Sequence, residues 1–439
     1  MPLATRPHPR LLSPILALLF IIFALSSLFS LFANSTSILN FVPTALVKGE
    51  RTPGCRGNAA ISIQNLLDAG ARHVAESNRL FDATGAKRDL GIDLGENWTL
   101  QSYASYLENI WQEFLQEPQG SNADHPTLQT VLSYTSLLPR EQGSETAIPK
   151  FIYTTDLLEP QQLPEQFQSW ITQNPEWTTM FVNDAEIDTW LEDRLGAGEV
   201  KTKAQEELLA LKESYGVVRA DLFRYLVLLL NGGVYTDTDT ASVLPIAQWA
   251  RSPTVAPVAP LLTAIPQLIS IIQDPSSQTL PSTPSTSKPS LVVAIESDAL
   301  STGANWREQS FARSIQIVQW TIMANRGHPV LLDVIGMALK KSEEIRLMKS
   351  NNDQVRKEDV NILNWSGPGA FTDAVFRYLF VRYGFHPAQA SGLKEPLQIG
   401  DVIIMPVHSF RADASEGFQG EHRVVWHGFF GRWKGKTDK

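Results

Sequence analysis

The chain is nearly without cysteine. Cys55 stands alone among 439 residues, so no disulfide can form within the chain, and a domain of this size has to rely on its core. Excess positive charge is also missing. Lys and Arg number 37 against 46 Asp and Glu, a net charge of −9, and without a basic stripe nucleic acid is excluded as a partner. No self-similarity at solenoid periods is present, which sets aside repeat architectures. Charge of either sign is absent from residues 11–32. As a helix this run would measure about 33 Å, the thickness of a bilayer's hydrocarbon core. It exceeds the roughly 7–15 apolar residues of a cleaved signal and reads as an uncleaved transmembrane anchor. Arg6 and Arg10 precede it, and the next basic residue after it is Lys48. The positive-inside tendency then makes residues 1–10 a cytosolic tail and places the rest across the membrane, a single-pass type II arrangement.

What is present is a globular composition, 43% hydrophobic and 19% charged. Residues 33–146 read as a lumenal stem with helical patches, because Leu107, Ile110, Trp111 and Leu115 recur at helical spacing. Acceptor sequons at Asn34, Asn97 and Asn364 agree with a lumenal location. A new organisation begins at residue 147. An apolar run around Pro149 predicts a first strand, a helix carrying Phe167, Trp170 and Ile171 stops at Asn174-Pro175, and residues 179–182 predict a second strand. Asp184 stands where an N-cap would open a helix through Ile187, Trp190 and Leu191. This alternation predicts an α/β fold with a parallel sheet. One long helix is expected over residues 206–230, closed by Asn231-Gly232-Gly233 as a left-handed cap. Residues 251–290 turn to Pro, Ser and Thr and read as a flexible insertion with an apolar island at 261–272. A strand at 291–295 ending in Glu296 and Asp298, helices over 311–323 and 329–339, and a strand at 401–405 complete the expectation.

The chemistry centres on Asp237-Thr238-Asp239, directly behind the short apolar strand of Val234 and Tyr235. Alternate residues of an extended segment point the same way, so both carboxylates face one side at the strand's carboxyl end, where ligands of open α/β sheets bind. Two hard oxygen ligands suit Mn²⁺ or Mg²⁺, and a divalent ion there would neutralise a diphosphate leaving group. Arg219, Asp221 and Arg224 sit in an otherwise apolar helix. Charges on a buried helix need a partner or a polar ligand, such as the rim of a nucleotide-sugar site.

Arg219-Ala220-Asp221-Leu222-Phe223-Arg224-Tyr225, the Asn231-Gly232-Gly233 turn and Asp237-Thr238-Asp239 together resemble glycosyltransferase family 32, and within it the fungal initiation-specific α-1,6-mannosyltransferases of Golgi mannan synthesis. Further similar blocks follow in order: Ile148-Pro149-Lys150, Asn174-Pro175-Glu176-Trp177, Glu296 with Asp298, Gln319-Trp320, Gly327-His328-Pro329, residues 366–373 and residues 427–433. The resemblance covers residues 147–435. It implies a GT-A-like, Rossmann-type nucleotide-sugar-binding domain facing the Golgi lumen, GDP-mannose as donor, Mn²⁺ (or Mg²⁺) as cofactor, and transfer with retention to glycans on glycoproteins. It also implies membership in a complex with other mannosyltransferases. By the same resemblance Asp237 and Asp239 hold the metal, with His427 as a further metal or diphosphate contact or else a surface histidine. Arg219, Asp221, Arg224, Tyr235 and Asp237 face the donor. Glu296, Asp298, Gly367 and Asp373 stand for the acceptor side, with capping as the alternative for the three carboxylates. His328 and His408 read as structural, and Trp170, Trp177 and Trp320 as core. The chain departs from the family's pattern at Tyr153, where many relatives have histidine, at Arg432 before Trp433, where serine is common, and in the long insertion. Three other readings remain open: an inositol phosphoceramide mannosyltransferase, an α-galactosyltransferase, and a non-catalytic subunit of a transferase complex.

Overall fold

The computed structural model describes residues 63–70, 72, 89–95, 98–116, 125–136, 147–195, 201–212, 214–256, 265, 268–269, 272, 288–411 and 422–431. The expected cytosolic tail, the anchor at 11–32, Cys55, Asn34, Asn97, most of the 251–290 insertion and Trp433 lie outside the described residues. Among the described residues no helix is long and apolar enough to cross a membrane.

Eleven strands are described: β1 (Phe151–Asp156), β2 (Thr178–Asn183), β3 (Gly233–Thr236), β4 (Thr240–Ser242), β5 (Thr254–Val255), β6 (Leu291–Asp298), β7 (Ile315–Ile317), β8 (Thr321–Ala324), β9 (Leu397–Ile399), β10 (Val402–Met405) and β11 (Val425–His427). The main sheet has the order β2-β1-β3-β8-β6-β10-β9-β5, with β7 on β6, while β4 and β11 pair separately. β1 is parallel to both β2 and β3, and β10 is parallel to β6. β8 runs antiparallel to β3 and to β6. β2, β1, β3, β6 and β10 therefore share one direction, and their carboxyl ends lie along one edge.

The sheet is mixed rather than parallel, because the helix expected over 311–323 is in fact β7 and β8. Ile315, Ile317 and Ile322 are fully buried β-branched residues at strand spacing, and such side chains favour a pleated, packed surface over a helix.

The helices that frame the sheet are α1 (Leu100–Ile110), α2 (Pro126–Thr135), α3 (Gln168–Gln173), α4 (Ile187–Leu195), α5 (Lys203–Leu211), α6 (Gly216–Asn231), α7 (Pro329–Ser350) and α8 (Pro368–Tyr383). The long helix expected over 206–230 is thus two, α5 and α6, with Tyr215 at the break in a non-helical conformation of φ −141° and ψ 52°. α6 is buried along nearly its whole length, from Val218 to Leu229, as an almost uniformly apolar helix must be.

The core has two faces. α6, α7 and α8 pack with α1 on one, around Leu222, Leu226, Val334, Ile335, Phe371 and Phe376. Ile152, Trp170, Val234, Trp249, Val292 and Ile403 fill the other. The first face corrects the boundary expected at residue 146. Leu107, Ile110, Trp111 and Phe114 are buried in that same core, and residues 62–439 form one compact unit. Gly336 on α7 makes room for Ile110, since a Cβ there would lie 1.9 Å from Ile110 Cδ1. A buried ion pair adds a polar tie. Arg377 Nη1 donates to Asp333 at 2.6 Å, Tyr103 donates to the same carboxylate at 3.0 Å, and Arg377 Nη2 donates to the Asp93 carbonyl at 3.0 Å.

Candidate active site

The turn from α6 into β3 sets the position of everything that follows. Gly232 has φ +69° with ψ 176°, so it closes α6 at positive φ but not as the left-handed cap expected, and Gly233 has φ +118°. A Cβ on Gly233 would lie 2.6 Å from the Phe151 carbonyl oxygen, and one on Gly232 would lie 2.7 Å from the Arg326 nitrogen. Glycine at both positions lets β3 enter the sheet between β1 and β8.

β3 ends at Thr236, and the chain then turns back into β4. The Asp237 N–H donates to the Trp320 carbonyl at 2.9 Å, and the Thr240 hydroxyl donates to the Asp237 carbonyl at 2.6 Å. Thr238 and Asp239 lie in a turn rather than the extended segment expected; Thr238 is buried and bonds the Asp156 carboxylate at the end of β1, and the turn brings the Asp237 and Asp239 carboxylates together. β11 pairs with β4 so that His427 lies opposite Thr240. That register brings a histidine from the far end of the sequence next to Asp239. Nε2 of His427 is 3.4 Å from Asp239 Oδ1. One ligand atom each from Asp237, Asp239 and His427 fall within 4.8 Å of one another. Two carboxylates and an imidazole at that spacing fit a single divalent ion.

The three side chains are held from behind. The His427 ring stacks on Trp320, centroids 4.3 Å apart and 28° between planes, and meets Phe429 edge-on at 4.0 Å. Trp320, expected as core, is buried and also orients this histidine. His427 Nδ1 accepts from the Phe429 N–H at 3.1 Å, Asp239 Oδ2 accepts from the Phe430 N–H at 3.1 Å, and the Asp239 carbonyl accepts from the Gly428 N–H at 2.7 Å.

Arg224 links α6 to the same centre. Its Nη1 donates to Asp221 Oδ1 at 2.6 Å and its Nη2 to Asp237 Oδ1 at 2.9 Å, with the guanidinium 4.8 Å from the Tyr235 ring centroid. Asp221 Oδ2 accepts from the Ser366 hydroxyl at 2.7 Å. Burial pushes the Asp221 carboxyl up to about 6, against the opposing pull of Arg224 and Ser366. Burial also raises the Tyr235 phenol, helped by the Asp237 charge.

Other expected residues lie elsewhere. Arg219 is committed to the β2–α4 turn, donating to the Asp184 carbonyl at 2.6 Å and to Asp188 at 2.7 Å, so it braces α6. Asp373 is 2% exposed and clamped by Arg313 Nε and Nη2 at 2.7 and 2.6 Å. It accepts as well from the Asp93 N–H at 3.0 Å. An acceptor role for Asp373 is thereby corrected to a structural one, since a buried carboxylate already paired and hydrogen-bonded has nothing left to offer a sugar. Gly367 precedes α8, and its Cβ position faces the Ile362 carbonyl oxygen at 2.8 Å, a packing role. Asp298 caps the short helix Ala299–Thr302 through the Ser301 N–H and ties down Ser391 and Gly392, which is the capping alternative.

Glu296 has a different setting. It borders a cleft of about 830 Å³ with Asp298, Phe311, His408, Ser409 and Arg411. Its carboxyl, raised by burial, accepts from Gln316 Nε2 at 2.7 Å. Arg411 Nη1 donates to the Glu296 carbonyl at 3.4 Å, and its guanidinium lies 5.3 Å from the Phe429 ring. The cleft therefore adjoins the Asp237–Asp239–His427 cluster across Phe429.

Two further carboxylates lie near this centre: Asp156, which the sequence reading missed, and Asp184, which it took only as a helix N-cap. Asp156 ends β1, and Asp184 follows β2 with Oδ1 accepting from the Thr155 hydroxyl at 2.6 Å. Burial raises the Asp184 carboxyl, with Asp156 and Asp237 adding to the shift. Their signal was an aspartate at the end of each of two parallel strands.

Comparison with known proteins bears on this geometry. Residues 160–256 match the family described as a glycosyltransferase sugar-binding region containing a DXD motif. The chain is 28% identical over 365 residues to the initiation-specific alpha-1,6-mannosyltransferase of Candida albicans, covering 75% of this chain and 83% of that protein. It is 27% identical over 294 residues to the protein of the same name from Schizosaccharomyces pombe, covering 65% and 64%. Among solved structures, the catalytic domain of alpha-toxin from Clostridium novyi is 12% identical, covers 65% of this chain and 82% of its own, and has a TM-score of 0.32. The fold assignment rests on the strand order above rather than on that likeness.

Proposed function

We propose that this glycosyltransferase belongs to glycosyltransferase family 32 and is a retaining, metal-dependent α-1,6-mannosyltransferase that moves mannose from GDP-mannose to N-glycans. The observation that carries this reading is the convergence of Asp237, Asp239 and His427 at the carboxyl edge of β3, with Arg224 bridging Asp221 to Asp237. Mannosyl transfer is what the names of the two fungal relatives say of those proteins. A GT-A-like domain anchored by residues 11–32 as a type II protein of the Golgi belongs to the same proposal, as does its association with other mannosyltransferases.

Asp237, Asp239 and His427 would hold the divalent ion, which supplies Lewis-acid stabilisation to the departing diphosphate. The remaining work falls to the chain itself. Arg224 fixes the orientation of Asp237 and keeps a positive charge beside it at 2.9 Å. Asp221 orients Arg224, and Ser366 orients Asp221. Trp320 fixes the plane of His427. The acceptor enters from the Glu296 side, and its hydroxyl attacks the face from which the diphosphate departs, its proton passing to the departing diphosphate oxygen.

The test is the product. An oligomannoside acceptor incubated with the protein, GDP-mannose and Mn²⁺ should gain one mannose that an α-1,6-specific mannosidase removes. A product resistant to that enzyme, or one formed only from a UDP-sugar, would replace this reading with another linkage or donor.

A further inference from the structure

The Phe429 ring supports His427, yet the side chain is 49% exposed, and Phe430 beside it is 46% exposed. A single exposed apolar side chain is ordinary; the backbone sets Phe429 apart. It has φ +50°, a left-handed conformation that is unusual for a bulky side chain and persists only where the surroundings impose it. Two bonds to the proposed metal ligands impose it here. The Phe429 N–H donates to His427 Nδ1 and the Phe430 N–H to Asp239 Oδ2, each at 3.1 Å. The turn that secures the ligands thus leaves half of the Phe429 side chain in solvent beside them. Phe430 is placed differently. Its ring packs edge-on to Trp426 at 6.3 Å, in room left by Gly428, where a Cβ would lie 2.6 Å from Phe430 Cε1.

The Phe429 ring stands where the ligand cluster meets the cleft. Its centroid is 4.0 Å from that of His427 and 5.3 Å from that of Trp320. Arg411, which borders the cleft, has its guanidinium 5.3 Å from the same ring. The cleft wall itself is polar, with Glu296, Ser297, His408 and Ser409. His408 Nδ1 and Ser409 Oγ are buried and have no hydrogen-bond partner among the described residues. Buried polar atoms are nearly always paired in folded proteins, and these two call for polar groups from elsewhere. An open aromatic ring next to unmet polar atoms matches a pyranose, which carries C–H groups on its faces and hydroxyls around its rim. The negative face of an aromatic ring draws such C–H groups. An acyl chain would leave the polar atoms unmet.

We propose that Phe429 is the platform on which a pyranose of the acceptor stacks, with its hydroxyl rim turned to the polar wall of the cleft. The inference rests on the transferase reading above and gives the acceptor side of that site its binding residue. A sugar stacked there stands beside Asp239 and His427.

The test compares the full chain with Phe429→Leu and Phe429→Tyr. Leucine keeps apolar bulk against His427 and has no aromatic face; tyrosine restores one. Three quantities are read: KM for an oligomannoside acceptor, the Mn²⁺ concentration at half-maximal rate, and GDP-mannose hydrolysis without acceptor. Phe429→Leu should raise the acceptor KM about three- to tenfold, by more than it moves the other two, and Phe429→Tyr should bring it back. An unchanged acceptor KM overturns the proposal. A KM that moves only in step with the Mn²⁺ midpoint also overturns it, because the ring then acts through His427 alone. Calorimetry of the oligomannoside with GDP and Mn²⁺ separates the platform from the donor reading. Glycan binding that Phe429→Leu weakens, in a protein that turns over no GDP-mannose, would sink the donor reading and leave the platform standing. No glycan binding by the unaltered chain would overturn the platform. Competition by hexanol as strong as that by methyl mannoside would assign the ring to an acyl chain and overturn the sugar.

Discussion

At the scale of single residues, the sequence displayed the carboxylate pair proposed to hold the metal but not the histidine beside it. Asp237 and Asp239 are legible because the Gly-Gly turn, the short strand and the two carboxylates are contiguous. His427 was an open alternative, since only the β4–β11 register brings it to Asp239. Trp320 looked like core because its stacking on His427 depends on that same long-range pairing. If His427 is a ligand, His427→Ala should raise the Mn²⁺ concentration needed for half-maximal activity by on the order of 10–100-fold, the scale already seen for supporting groups. A metal titration of initial rates checks this; an unchanged midpoint would remove His427 from the site. The Asp221 carboxyl, pushed up to about 6 by burial, gives a pH prediction. Below that value it is neutral and loses its charge–charge hold on Arg224; above it, it is ionised and the Asp221–Arg224–Asp237 chain is complete. Rates should therefore fall as pH drops through about 6. In Asp221→Asn this limb should vanish, leaving activity low at all pH. The profile of kcat/KM for both proteins decides it.

At the scale of elements, local pattern identified β1, β2, β3, β6, α6 and α7 but failed where two periods compete. Residues 311–323 contain enough apolar side chains for a helix, yet Ile315, Ile317 and Ile322 serve β7 and β8. The α5–α6 break was hidden because Leu208, Leu211 and Val218 are all buried in one core and continue the apolar character across it. The Gly232-Gly233 turn is the element most exposed to a single change. Gly233→Ala adds a Cβ 2.6 Å from the Phe151 carbonyl oxygen at φ +118°. Strain of this kind costs about 1–3 kcal/mol, so a lowered Tm together with weakened metal binding is expected. A variant with both unchanged would show that β3 does not position Asp237 and Asp239. The tail after β11 makes a second element-scale prediction. Its N–H groups at Gly428, Phe429 and Phe430 all bond Asp239 or His427. Mg²⁺ should alter amide hydrogen exchange at these three positions more than in α7. Equal effects at both would separate the tail from the site.

At the scale of the whole molecule, the fold class was legible and its extent was not. Strand–helix alternation from residue 147 announced the α/β layers, but polar stretches concealed that α1 and α2 complete the same core. Ile110 fits against Gly336, and Asp93 and Tyr103 join the Arg377–Asp333 pair, contacts no local pattern reveals. Ile110→Ala should destabilise by about 2–5 kcal/mol. A chain shortened to begin at residue 147 should fail to fold, whereas one beginning at 63 should melt cooperatively. Folding of the shorter chain would restore the boundary at 146. The central claim is that Asp237, Asp239 and His427 form a metal-dependent donor site. Its most direct test is hydrolysis of GDP-mannose by the full chain with and without Mn²⁺, beside Asp239→Ala. Mn²⁺-dependent turnover that falls by on the order of 10²–10⁴ in the variant is the predicted result. Turnover indifferent to both the metal and Asp239, or no turnover of GDP-mannose with no metal bound, would contradict it.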